Sequence, residues 1–468
     1  MVDFNARRIS DPVHNTISLS DVEVSVIGTR SFQRLRNVRQ LGLASLVFPG
    51  ADYSRLSHSI GVCHITSRIL DALRQNCRDF EISTDQLQNY RLAGLLHDVG
   101  HYPFSHAMEE AIENHFLSDL LADGGEGSEG RAGKFYRHEH VGGAILDGDI
   151  ELRNVLLRHN VDATSVASIF SRSAPDKLTN LISSDLDADR IDYLLRTAHF
   201  SGLPYGSVDL EYLLTQIRVD SQGRICLTNK ALRAADHFLL SRYFDYQQVA
   251  FHKTVAAFEL VLKDVLRALL VRKMFDCSQT GIVAAITSGK WAEFDDTAVW
   301  ARIRELADDK DASIDSFKAN SLLTRSPPKL VGQFERVDSV ERGKEFQRRL
   351  KAVKRLKDNL AAKYNIDPSL WYVWSKDGIT LTKVGSHVPV GMLQKAPNAK
   401  DKDKYEQAIR IISSSDRTST DIMSLPQSLM SILSDNALYL LRMYVLLPDD
   451  KVALREAIAN DCLEEFSQ

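Results

Sequence analysis

Residues 97–106 of this chain read His-Asp-Val-Gly-His-Tyr-Pro-Phe-Ser-His, which places three imidazoles and a carboxylate within ten positions. Adjacent His97 and Asp98 form a metal-binding pair that core packing does not require. Imidazole nitrogen with carboxylate oxygen suits a divalent ion such as Zn, Mn, Fe or Mg, and the segment contains no thiolate. The chemistry implied is metal-assisted hydrolysis. Histidine usage points the same way, because 8 of the 14 His residues fall between positions 58 and 140.

The elements that must position these groups are mostly helical. Leu87, Leu92, Leu95 and Leu96 form one apolar stripe, and Leu239, Phe244, Val249, Phe258 and Leu262 predict a second long helical stretch. The glycine-rich, acidic run 118–133 reads as a surface loop or insertion rather than a lid. Beyond residue 265 the pattern changes to charged helices (Asp308 to Lys310, Arg342 to Lys357). Trp371–Trp374 and Ile379–Val390 then predict short strands joined at Asp377-Gly378. Residues 396–404 and 413–419 read as exposed loops. The expected fold class is mainly α, with a helical core over 1–265. A C-terminal α+β region over 266–468 carries a few short strands and an oligomerisation or regulatory role.

Composition bounds the function. At 468 residues two or three domains are expected, with 44% hydrophobic content to bury them. A net charge of -4 gives no overall basic field, so an anionic ligand must be met by local clusters, and nucleic acid is not favoured as a partner. Five scattered cysteines (63, 77, 226, 277, 462) without CxxC spacing argue against a disulfide framework or structural zinc, which suits a reducing cytoplasm. There is no export signal and no apolar run of about 18 residues, so no membrane partner is expected.

One His-Asp pair cannot hold a catalytic ion alone. Candidate partners are His58, in Arg-Leu-Ser-His-Ser-Ile-Gly-Val at 55–62, and Asp189, in Asp-Ala-Asp-Arg-Ile-Asp-Tyr-Leu-Leu-Arg at 187–196. Each alone reads as an ordinary helix-surface or capping residue. Together with His97-Asp98 they give the order His, His-Asp, Asp. With HDxGHxPFSH at 97–106, His138-Glu139, Asp11-Pro12-Val13-His14, FQRLRNVRQLG at 32–42 and VFPGA at 47–51, residues 7 to 255 resemble the HD-domain deoxynucleoside triphosphate triphosphohydrolases. That family includes the mammalian sterile-alpha-motif-and-HD-domain enzyme and bacterial relatives. Only ten residues precede Asp11, so no sterile-alpha-motif domain is expected there.

The resemblance implies a set of roles. His58, His97, Asp98 and Asp189 would coordinate a divalent ion, with Mn, Mg, Fe, Zn and Ni not distinguished. The ion would activate water for attack at the α-phosphate, giving a deoxynucleoside and inorganic triphosphate. Arg55, His101, His138, Arg190, Tyr193 and Arg242 would hold the phosphates. His106 would protonate the leaving 5′ oxygen, oriented by Glu109, with His101 beside them. Gln40 and Leu41 would meet the sugar edge, although for Leu41 a simple helix terminus is an equal reading. His140 would help fix His138. Arg196 reads as a surface ion pair.

Some positions depart from the family pattern. Thr197 stands where many relatives carry an Asp against the sugar 3′ hydroxyl, and Ala250 where an aromatic often packs. Arg7, Gln33 and Arg36 match positions that bind an activating nucleotide in some relatives, but Gly28 replaces the Asp that reads guanine there. The run Arg30 to Arg39, with four Arg, reads as a basic helix with a solvated face. A homo-oligomer, dimer or tetramer, is expected. Two alternatives remain open: an HD-type phosphodiesterase, nucleotidase or single-stranded-DNA-end nuclease, and a nucleotide-sensing or nucleic-acid-binding regulator with vestigial hydrolysis.

Overall fold

The structure, a computed structural model, describes residues 6–122, 135–171, 177–182, 184–309, 313–339, 343–380, 407–413, 418–434 and 436–466. The glycine-rich run 118–133 and residues 396–404 lie largely or wholly outside these segments. The protein is mainly α, with a helical core and a C-terminal α+β region. At the centre, helix Arg55–Asn76 packs against helices Thr84–Leu96 and Ala188–Ser201. The expected stripe Leu87, Leu92, Leu95 and Leu96 lies on Thr84–Leu96, and all four side chains are buried. Ser83 opens that helix in a capping box with Gln86, and Asp187 caps Ala188–Ser201 by accepting from Arg190 N.

Two glycines permit close approaches that the site needs. A Cβ at Gly61 would sit 1.8 Å from Asp192 Oδ1, and one at Gly100 would sit 2.1 Å from the His138 carbonyl oxygen. The first lets helices Arg55–Asn76 and Ala188–Ser201 touch, and the second lets the 97–106 loop lie on helix His138–Gly148.

The stretch 239–262 is not one helix. Helix Leu232–Asp245 ends in a wide turn at Tyr246–Ala250, and the chain restarts as Lys253–Val271 with His252 as its cap. A boundary drawn at residue 265 falls inside this second helix. Arg30 to Arg39 is likewise not one helix: Arg30–Gln33 passes into the 3-10 turn Arg34–Asn37, and Arg34 is buried.

In the C-terminal region, strand Asn436–Val445 lies between Lys329–Ser339 and Trp371–Thr380, antiparallel to both. Alternate residues face opposite ways, as strand geometry requires. Ala437, Tyr439, Leu441, Met443 and Val445 enter a core with helices Gly343–Tyr364 and Val452–Phe466, whereas Leu438 and Leu440 pack towards Tyr243 and Phe251. Both faces are covered, which accounts for the nearly continuous apolar run. Asp377-Gly378 is not a hairpin turn. It forms an irregularity inside one strand, between Lys376 and Ile379, and Gly378 takes φ 68° there.

Candidate active site

The two histidines expected as ligands are fixed from behind. His58, on helix Arg55–Asn76, is fully buried and donates from Nδ1 to Asp192 Oδ2 at 2.7 Å. His97 follows helix Thr84–Leu96 and donates from Nδ1 to the Gly94 carbonyl at 2.8 Å. With each Nδ1 hydrogen-bonded, each Nε2 is left as the coordinating nitrogen. His58 Nε2 lies 3.0 Å from Asp189 Oδ1 and 3.9 Å from Asp98 Oδ2. His97 Nε2 lies 3.2 Å from Asp98 Oδ1 and 3.9 Å from Asp189 Oδ1, and is buried with no hydrogen-bond partner. The Asp189 side chain is 37% exposed, which leaves the cluster open on one side.

These donors fit a divalent cation. Ligand atoms of His58, His97 and Asp189 lie within 4.8 Å of one another, and the orphaned His97 Nε2 points at the carboxylates. Burial opposes a charge on His58, but its hydrogen bonds to Asp189 and Asp192 raise the imidazole to about 9. A proton and a metal ion compete for the same Nε2 lone pair. Burial also works against the Asp98 charge, but Arg55, His97 and His101 outweigh it and hold the carboxyl well below its ordinary range.

A second group of imidazoles adjoins the first. His101 Nε2 approaches Asp98 Oδ1 at 3.2 Å, and its ring stacks on His138 with centroids 3.8 Å apart. Burial and the Arg55 charge keep His101 well below its usual value, so it is neutral. Glu109 Oε2 receives His106 Nδ1 at 3.2 Å and His138 Nδ1 at 3.3 Å. Those two contacts overcome burial and hold Glu109 far below the usual carboxylate range, while Glu109 in turn raises His138 against its burial. Glu109, rather than His140, therefore fixes His138. His106 itself is exposed, and its Nδ1 is the nitrogen that meets Glu109.

The remaining expected groups fall into two sets. Arg55 is buried, donating to Asp98 Oδ2 at 2.5 Å and to Ser105 Oγ at 2.9 Å. Arg190 bonds Asp187 Oδ2 at 2.6 Å, Arg242 bonds the Asp185 carbonyl at 3.1 Å, and both act on Tyr246. Tyr193 is half-buried near Tyr53, Tyr205, Tyr246 and Asp245. Gln40 reaches the Tyr53 carbonyl through its backbone N, with a buried Oε1 left unbonded, and Leu41 packs against the small cluster of Ala44, Val249 and Val255. Thr197 Oγ1 is hydrogen-bonded to the Tyr53 hydroxyl at 2.7 Å. Of the expected regulatory residues, Arg36 donates to Gln33 at 2.9 Å, whereas Arg7 pairs with Leu19 across the N-terminal hairpin and stays exposed.

Arg196 is not a surface ion pair. It is fully buried and grips Asp192 at 2.8 and 2.9 Å and Asp11 at 2.9 and 3.2 Å, and His14 Nε2 adds 2.6 Å to Asp192 Oδ1. Sequence reading missed Asp192 and His14 as supports of the site. The available signal was the i, i+4 spacing of Asp192 and Arg196 on an otherwise apolar helix face. It also missed Asp296, whose carboxylate accepts from the backbone N of Phe104 at 2.8 Å and of Arg39 at 3.0 Å. Phe104 and Ser105 take φ 54° and 53°, a left-handed pair that Asp296 and Arg55 hold in place.

The helical core thus brings His58, His97 and Asp189 together from three helices or helix ends, with Asp98 Oδ1 3.2 Å from His97 Nε2. Residues 55–197 match the HD domain family. The chain is similar to the uncharacterised protein YwfO of Bacillus subtilis, 34% identical over 259 residues, or 55% of this chain and 54% of that protein. It is also similar to the deoxynucleoside triphosphate triphosphohydrolase SAMHD1 of Xenopus laevis, 42% identical over 248 residues, or 51% of this chain and 35% of that protein. The chain thus spans about half the length, or less, of these curated relatives. In fold it matches a phosphohydrolase of Bacteroides thetaiotaomicron with a TM-score of 0.68 at 20% identity, over 94% of this chain and 99% of that one.

Proposed function

We propose that the protein hydrolyses deoxynucleoside triphosphates to a deoxynucleoside and inorganic triphosphate. The observation that carries the reading is the preset convergence of His58 Nε2 and His97 Nε2 on Asp98 and Asp189 beside a second imidazole cluster. The named SAMHD1 relative supports the choice of substrate. Bound there, a divalent ion supplies a lowered water pKa and neutralises phosphate charge. The ion itself is of unassigned identity.

The chain's own groups do the rest. Arg55 keeps Asp98 ionised and, through Ser105, fixes the loop that presents His101 and His106. Arg190 and Arg242 supply positive charge next to Asp189 for the polyphosphate. Glu109 accepts the Nδ1 proton of His106, which directs Nε2–H outward to protonate O5′ as the bond to the α-phosphorus breaks. Tyr193 joins the phosphate-holding groups, and Gln40 and Leu41 meet the sugar edge. The C-terminal region 266–468 would serve self-association in a homo-oligomer.

The test is incubation of purified protein with each dNTP and NTP plus Mn or Mg, with products separated by chromatography. Intact triphosphate is expected. Stepwise phosphate loss, or turnover only of cyclic or polymeric substrates, overturns the reading in favour of a different HD phosphohydrolase. Asp189→Ala and His97→Ala should abolish turnover, whereas His106→Ala should slow the chemical step and spare metal binding.

A further inference from the structure

Three donors inside the helical core have no acceptor. Arg34 Nη1, Trp291 Nε1 and the Tyr102 hydroxyl are buried, and among the described residues none of them is hydrogen-bonded, to another of the three or to anything else. Their side chains form one cluster. Arg34 Cζ lies 4.5 Å from the centre of the Trp291 ring, and the Tyr102 ring meets that indole edge-on at 5.8 Å. All three residues are at most 2% exposed. A buried polar group without a partner is costly, and folded proteins rarely leave three together.

The guanidinium is also without a close counter-charge. Its other nitrogens donate to neutral carbonyls, Nε to Phe294 and Nη2 to His101, both at 2.6 Å. Asp295 and Asp296 act on it without forming an ion pair, because both are engaged elsewhere: Asp295 by Asn37 Nδ2 and Ala298 N, Asp296 by Arg39 N and Phe104 N. Burial outweighs them and pulls Arg34 down to about 10. The Trp291 face offsets part of the charge but is only a weak acceptor of N–H. Near Tyr102, Glu109 is taken up by His106 and His138, and Cys277 is a neutral thiol that burial pushes up to about 12.

We infer that Arg34, Trp291 and Tyr102 bind a monatomic anion of the chloride class. Guanidinium and indole N–H only donate, so the group that joins them must accept from several sides and bring negative charge. A water molecule needs acceptors for its own two protons, and the acceptors around the cluster are taken. A halide needs none. A phosphate- or carboxylate-bearing ligand would require an opening that walls at most 2% exposed do not offer. The site adjoins the 97–106 loop, since Arg34 holds the His101 carbonyl and Tyr102 is the next residue. The anion therefore steadies that loop from behind, independently of the metal ligands and of which nucleotide is hydrolysed.

The test is equilibrium urea unfolding of the full chain at fixed ionic strength, with sodium chloride replacing sodium gluconate in steps. Unfolding releases the ion, so slow exchange cannot hide it, and the midpoint should climb with chloride by mass action. Tyr102→Phe and Trp291→Phe each remove one donor and keep a ring, and each should need about tenfold more chloride for the same climb. Crystals grown from protein refolded in sodium bromide should show an anomalous peak within hydrogen-bond distance of Arg34 Nη1. The inference is overturned if the wild-type midpoint is the same in both salts, if chloride raises both variants as it raises wild type, or if no bromide peak stands beside Arg34. Any of these would leave the three donors to water alone.

Discussion

The Asp192 carboxylate accepts from Nδ1 of His58 at 2.7 Å, and both side chains are wholly buried. The same carboxylate takes His14 Nε2 at 2.6 Å and the Arg196 guanidinium at 2.8 and 2.9 Å, so all its lone pairs are occupied. Arg196 extends the chain to Asp11, which ties the N-terminal hairpin to the back of a proposed metal ligand. The ring plane of His58 is thereby set before any ion arrives.

Asp192→Asn keeps the shape and removes the charge that orders this network. Metal affinity should fall about 10- to 100-fold, read by calorimetric titration with Mn. His14→Ala should give a smaller loss in the same assay. Unchanged affinity in both variants would remove Asp192 and His14 from the metal site.

Gly61→Ala places a Cβ 1.8 Å from Asp192 Oδ1 and 2.6 Å from Arg196 Nη2. Neither can retreat within a buried, fully bonded network. We expect about 1 to 3 kcal/mol of destabilisation by urea unfolding, together with loss of metal affinity. An equally stable variant would mean that the two helices can separate freely there.

Arg55→Lys retains the charge but cannot reach Asp98 and Ser105 at once from one planar group. The Ser105 contact is lost and the left-handed loop at Phe104–Ser105 loosens. Expected is a drop in kcat larger than the rise in KM. A pure KM effect would instead make Arg55 a substrate contact.

Asp296→Ala leaves the backbone N–H of Phe104 and of Arg39 without their acceptor. A buried unpaired donor costs about 1 to 3 kcal/mol, so thermal stability should fall, and activity with it, although Asp296 lies outside the metal cluster. Wild-type activity in a destabilised protein would show that the loop holds its geometry unaided.

Asp245 supplies the pH dependence. Burial pushes its carboxyl up to about 7, against the pull of the Tyr205 and Tyr193 hydroxyls and Arg242. The folded state therefore binds this proton more tightly than the unfolded chain, whose carboxyl titrates near 3.8. The resulting stabilisation is complete below pH 3.8 and is lost as pH rises through about 7. Its full size is on the order of 4 kcal/mol. Asp245→Asn does not titrate, so its stability relative to wild type should rise over that window in urea melts at stepped pH. Parallel profiles would show that Asp245 is ionised in the fold.

The residues that could do chemistry were legible as residue types and spacings: His97-Asp98 adjacent, His58 and Asp189 in their motifs, and the apolar stripe of Thr84–Leu96. Helix limits near Tyr246–Ala250 were not, because a wide turn keeps helical periodicity in the sequence while shifting the backbone. Asp377-Gly378 carried a turn signal, but the neighbouring strand Asn436–Val445 offered a continuous ladder, and the glycine was absorbed as an irregularity.

Local sequence thus determined which side chains could hold a cation and which helices would carry them, since periodicity and capping act over a few residues. Only the tertiary structure decided what stands behind those side chains. Arg196 read as an exposed ion pair, and it became the buried clamp on Asp192 because Gly61 lets two helices close and Asp11 arrives from a hairpin 185 positions away. A charge in sequence has no dielectric of its own, and burial among partners distant along the chain is what turned these carboxylates and guanidinium into a rigid frame.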